Sequence, residues 1–187
     1  MSLGGLLELI RQPVDQPGAP SGRDWSGPTN AIGIDFPPEY VELVDTLGSG
    51  CLDGFIWLLS PFAGSANLNL VDQLERQTAM LSALRGESTD VHLYSSPSPE
   101  SVPYPLWPAD GGLIPWFLTD NGDFGLFVAT RGGGAWPTVI VDARVSTWQK
   151  FDVGPVHLLY GILSGHTRPS AFPADFPPVA HSFQPAE

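Results

Sequence analysis

The run Ile114-Pro115-Trp116-Phe117-Leu118-Thr119-Asp120-Asn121-Gly122-Asp123-Phe124-Gly125-Leu126-Phe127-Val128-Ala129-Thr130 writes out a β-hairpin. Asn121-Gly122 tolerates the positive φ angles of a two-residue type I′ turn. That turn predicts Asp120 opposite Asp123, Thr119 opposite Phe124 and Phe117 opposite Leu126. One sheet face then carries Phe117, Phe124, Leu126 and Val128, and the other carries Trp116, Leu118 and Phe127. Two carboxylates end at an exposed tip, where like charges repel. Either they are ordinary solvated turn residues, or something other than stability favours them there.

On both sides of the hairpin the pattern alternates between helix and strand signals. Leu3, Leu6, Leu7 and Ile10 fall at helical spacing, and Pro13 to Asn30 reads as a loop broken by Pro and Gly, with Trp25 packed over the core as a lid. A helix starting at Pro37 places Tyr40, Leu43, Val44 and Leu47 on one stripe and stops at Gly48. Glu39, Glu42 and Asp45 sweep only about 120° of the same helix, a single acidic face. Phe55 to Leu59 reads as a buried strand ended by Ser60-Pro61. Asn67 or Asn69 caps a following helix that carries Leu70, Val71, Leu74, Leu81 and Leu84.

The Pro-rich region from Gly86 to Gly112 offers one short strand, Val91 to Tyr94. After the hairpin, Gly132-Gly133-Gly134 forms a loop, Thr138 to Asp142 adds a third strand to a meander, and Trp148 and Phe151 lead into a last helix, Pro155 to Leu163. The tail from Pro169, with Phe172, Phe176 and Phe183 between prolines, reads as a strap against the body. Together these signals predict an α+β fold: an antiparallel-dominated sheet with a central meander, packed with about three to four helices.

With 187 residues, 42% hydrophobic and 11% aromatic, the chain has material for one core. Twenty acids against eight bases give a formal net charge of -12. No Lys or Arg occurs from Asp24 through Glu75, or from Gly86 to Thr130. Such a surface repels phosphate backbones, so nucleic acid is excluded as a partner and a basic protein is favoured; solubility alone is the plainer account of the charge. The single cysteine, Cys51, rules out an internal disulfide and fits a reducing cytoplasm. Met1 to Arg11 lacks the basic start of a signal peptide, and no segment has the ~20 consecutive apolar residues of a membrane helix, so a soluble protein is expected.

Several segments, in order, resemble the SUKH superfamily, which includes fungal cell-wall-synthesis regulators and many bacterial immunity proteins. The matching pieces are Phe36-Pro37-Pro38-Glu39-Tyr40, Leu47-Gly48-Ser49-Gly50, Gly112-Leu113-Ile114-Pro115-Trp116, Asn121-Gly122-Asp123 with the run to Phe127, and Trp148-Gln149-Lys150-Phe151 before the last helix. Phe36 stands where that family usually has Leu. The resemblance covers residues 24–178, leaving 1–23 as a flexible or partly helical lead and 179–187 as a tail. It implies a non-enzymatic domain that binds another protein; in bacteria, that means neutralising a toxin, commonly a nuclease. The alternative it implies is a regulatory or scaffold module acting on a host protein.

The residues themselves offer little catalytic equipment. Ser164-Gly165 is not in a nucleophile-elbow pattern, and His92, His157, His166 and His181 lack paired metal-ligand spacing, so no cofactor or metal is expected. Cys51 reads as a buried packing residue. The strongest enzymatic reading would have Asp110, Asp120 and Asp123 converge. Trp25, Trp57 and Trp148 are assigned to the core, and Trp116 is favoured there. Trp107 and Trp136 suit either the core or a contact surface, Trp being enriched at interface hot spots. The predicted protein-binding residues are Glu42, Asp45, Trp107, Asp110, Asp120, Asp123 and Trp136, with oligomeric state open.

Overall fold

The computed structural model describes residues 2–10, 22–85, 102–132 and 136–186. The expected strand at Val91 to Tyr94, together with His92, lies outside the described residues. In chain order the elements are α1 (Leu3–Leu9), α2 (Ser26–Ile32), α3 (Pro38–Leu47), β1 (Gly50–Leu52), β2 (Ile56–Leu58), α4 (Leu70–Leu84), β3 (Gly112–Thr119), β4 (Phe124–Ala129), β5 (Thr138–Val141), β6 (Trp148–Phe151), α5 (Pro155–Leu163) and β7 (Phe183–Pro185). The strands form one sheet in the order β6-β5-β4-β3-β2-β1-β7, antiparallel at every pairing. The α+β class and the central meander are therefore as expected; among the described residues there are five helices, α2 being the addition.

Local chemistry places most of the boundaries. Pro38 opens α3 with its fixed φ, and Gly48, at φ 72°, closes it. Asn69 caps α4: its side-chain oxygen accepts the Val71 and Asp72 amides, while its amide nitrogen donates to the Pro61 and Ala63 carbonyls, tying the β2–α4 loop to the helix start. The loop expected from Pro13 to Asn30 needs correction, because Ser26–Ile32 is helical. Asp24 accepts the Ser26 amide, and Gly33 ends the helix in the left-handed region at φ 80°. Gly27 and Pro28 read as breakers, yet Pro28 lies in the first turn, where its missing N–H has no intrahelical partner to lose.

The central hairpin forms with a register different from the expected one. Phe117 pairs with Gly125, and Leu118 with Phe124, not Phe117 with Leu126. The turn is a three-residue loop, Asp120 to Gly122: the Thr119 amide donates to the Asp123 carbonyl, and only Gly122 has positive φ. A bulge between Pro115 and Phe117 then swings Trp116 and Phe117 to the same side. Proline cannot donate to a ladder, so a bulge is where a central strand tolerates it. As a result Phe117 leaves the face of Phe124, Leu126 and Val128, and Leu118 joins that face.

Each sheet face has its own core. Ile114, Trp116, Phe117, Phe127 and Ile140 meet Leu6 of α1, Tyr40 and Leu43 of α3, and Leu159 and Ile162 of α5. On the opposite face, Leu113, Phe124, Leu126, Val139 and Val141 pack with Leu81 of α4, Val102 and Val145. The tail does lie as a strap, with Phe172 and Phe176 ring-to-ring against Phe55 at 5.1 and 4.7 Å. Its end, read as a bare tail, forms β7 on the β1 edge.

Gly125 is the tightest point of this packing, since a Cβ there would lie 1.9 Å from the Phe117 ring that covers it. Gly125→Val is expected to cost about 1–3 kcal/mol in urea denaturation. The double variant Gly125→Val/Phe117→Ala should lose less than the sum of the two single losses, because the second change removes the clashing ring.

Candidate functional site

The hairpin order brings three turns to one end of the sheet: β1–β2 with Asp53, β3–β4 with Asp120 and Asp123, and β5–β6 with Asp142. Three of these four carboxylates are bound into the turns themselves. Asp53 accepts the Ser182 amide through Oδ1, and its Oδ2 lies 2.7 Å from His181 Nδ1, which fastens the strap to the β1–β2 turn. Asp123, only 4% exposed, accepts the Thr119 hydroxyl at 2.8 Å and the Ala143 amide at 3.0 Å, linking two neighbouring hairpins. Asp142 accepts the Arg144 and Ser146 amides and the Ser146 hydroxyl. Burial pushes the Asp142 carboxyl up, but the hydrogen bonds from Ser146, Thr147 and Arg144 together outweigh it and hold the group below its ordinary value.

Of the four, Asp120 alone is exposed; its backbone amide is anchored to the Phe55 carbonyl, which fixes the tip against the β1–β2 turn. The expectation of two exposed carboxylates at the tip is thus corrected. Asp123 is a buried bracket because the three-residue loop turns its side chain back toward Thr119.

The remaining predicted contact residues separate. Glu42 is exposed on α3, whereas Asp45 is half-buried and accepts the indole N–H of Trp25 at 3.0 Å. Trp25 meets Phe36 and Phe62 edge-on, as its reading as a lid requires. Asp110 is exposed and accepts the Arg131 amide, and the Arg131 guanidinium lies over the Trp107 ring at 5.5 Å. Trp107 and Trp136 are drawn inward, 8% and 2% exposed, and their indole N–H groups donate to the Ile32 and Thr130 carbonyls. Conversely, Trp25, Trp57 and Trp148, assigned to the core, are only half-buried.

Asp110, Asp120 and Asp123 do not converge. Asp110 precedes β3 and Asp120 follows it, and eight strand residues span roughly 25 Å. Among the described residues, no group of three or more His, Cys, Asp and Glu side chains is placed to hold a metal. His157 is exposed on α5, and His166 Nδ1 lies 2.7 Å from the Ser164 hydroxyl just past that helix. No described helix is long and apolar enough to cross a membrane. Comparison with family models, curated proteins and solved structures finds no match to this chain.

Cys51 is buried under β7, and burial foremost, then the nearby Asp120 charge, pushes its thiol up to about 11. Thiolate is therefore scarce at neutral pH. Iodoacetamide at pH 8 is expected to leave Cys51 unmodified in the folded chain and to alkylate it once urea unfolds it, as read by intact mass.

Asp35 and Arg131 were not among the predicted contact residues. Asp35 precedes Phe36-Pro37-Pro38 and lines a cavity with them; an acid flanking an aromatic-proline run was the available signal. Arg131 precedes the Gly-rich loop, and its guanidinium donates to the Pro108 carbonyl.

Proposed function

We propose that this chain is a non-enzymatic, immunity-type protein that binds a basic toxin domain in a reducing cytoplasm and blocks it, with carboxylates occupying the cleft that would otherwise receive substrate phosphates. The observation that carries the reading is the charge: twenty acids to eight bases, with Glu42, Asp110 and Asp120 at the surface. A field of this sign accelerates encounter with a positive surface and disfavours nucleic acid as a direct ligand. The ordered motifs resembling the SUKH superfamily support the same reading. Asp123 and Trp107 are left out of the docking surface, since each is buried and bonded internally. Asp45 contributes charge to the α3 face while holding Trp25.

The test is capture of a partner from the native host on the immobilised full chain, identification of the captured protein, and co-expression of the two. A captured basic protein that stops growth alone and is silenced by this chain is the expected result. A captured protein without toxicity overturns the immunity reading in favour of a regulatory module. With the partner in hand, Asp120→Lys should slow association several-fold at low salt and flatten its salt dependence. Unchanged rates remove the hairpin tip from the docking surface.

A further inference from the structure

At the opposite end of β4 from the hairpin tip, the loop entering α3 meets the chain leaving β4 and encloses a cavity of about 310 Å³. This lies at the small end of ligand pockets, which run roughly 300–1,000 Å³, so it suits one side chain better than a whole cofactor. Phe36, Pro37, Pro38, Ile34 and Trp136 line it, and among the described residues Asp35 is the only charged one that does. The aromatic pair is fixed: ring centroids of Phe36 and Trp136 are 6.3 Å apart, and the Trp136 indole is held by its hydrogen bond to the Thr130 carbonyl. Asp35 is exposed and lies within the base-free run from Asp24 through Glu75.

An apolar slot with rigid aromatic walls and a single carboxylate at an exposed position has a definite complement. Long cationic side chains bury their methylenes along apolar surface and keep the charged head at the edge. A guanidinium can pair with a carboxylate in bidentate geometry and stack against aromatic rings, which an ammonium does less well. We propose that this cavity is a subsite for an arginine side chain of a basic protein partner, with Asp35 receiving the guanidinium and the Phe36–Trp136 wall packing along its stem. The subsite rests on the docking role proposed above and deepens it, naming the residue type that the partner presents. It also places recognition at the α3 entrance in addition to the acidic hairpin tip.

The probe is a short peptide, acetyl-Gly-Arg-Gly-amide, titrated into the 15N-labelled full chain. Its counterpart carries citrulline, which keeps the shape and removes the charge. Saturable shifts of the Trp136 indole and Gly132 amide signals are expected with arginine, at least tenfold weaker with citrulline. Asp35→Asn should weaken arginine binding about tenfold. Asp175→Asn, which removes an equal charge beside Phe176 in the strap against Phe55, at the other end of the sheet, should leave it unchanged. Equal binding of the two peptides, no saturable shift, or equal losses in the two variants overturns the subsite. If Asp35→Asn also captures the host partner at the wild-type level, the subsite falls while the docking role stands.

Discussion

Trp116→Ala is expected to lower stability by about 3–5 kcal/mol, the range for removing a large aromatic side chain from a core. The reason lies in the bulge at Pro115/Phe117, which turns two consecutive aromatics into one core where a regular strand would send them to opposite faces. Trp116 is 0% exposed, stacks on Phe127 at 5.1 Å with an 11° interplanar angle, and meets Phe117 edge-on at 4.7 Å. Its loss would leave both neighbours facing a void that the surrounding strands cannot close. Urea denaturation should show the full loss, and the melting temperature should fall on the order of 10 °C. Among the described residues the indole nitrogen of Trp116 has no hydrogen-bond acceptor, so Trp116→Phe deletes an unpaired buried donor along with some volume and should cost much less than alanine. A loss below about 1 kcal/mol for Trp116→Ala would contradict the packing of the bulge.

Asp123→Ala carries the second large effect, about 2–3 kcal/mol, because it strips acceptors from the buried Thr119 hydroxyl and from the Ala143 amide. Asp123→Asn keeps an oxygen for the Ala143 amide and should lose less. The pair separates a structural role from a docking role: both variants should melt earlier, yet at temperatures where they remain folded they should bind a partner as the wild type does. A weakened association without a stability change would put Asp123 back on the docking surface.

The long, regular signals were legible in the sequence. The stripe Tyr40, Leu43, Val44, Leu47 and the Asn69 cap lead directly to α3 and α4, and the runs around Phe127 and Ile140 lead to β4 and β5. Strands β1 and β7 have three residues each, too few for a period, so pairing across the sheet defines them. The hairpin register failed for a specific reason. Asn121-Gly122 suits both a two-residue and a three-residue loop, and the Thr119–Asp123 hydrogen bonds that select the longer one are contacts no local pattern encodes. The tryptophans stayed open for a related one. Trp107 and Trp136 sit in Pro- and Gly-rich surroundings that suit core or surface alike, and each indole finds a backbone carbonyl and is drawn inward. Of the proposed site, charge could be counted from the sequence, whereas exposure could not, so Asp120 and Asp123 looked equivalent until the turn distinguished them.

The three turns at the sheet's acidic end share a division of labour. Asp53, Asp123 and Asp142 point their carboxylates into backbone amides, whereas Asn121, Gly122, Ala143 and Arg144 face outward. Such a scaffold keeps its frame and its display separate. Apart from Gly122, whose positive φ the turn requires, the outward positions can be rewritten without loosening the brackets, so the surface at this end varies independently of the body beneath it.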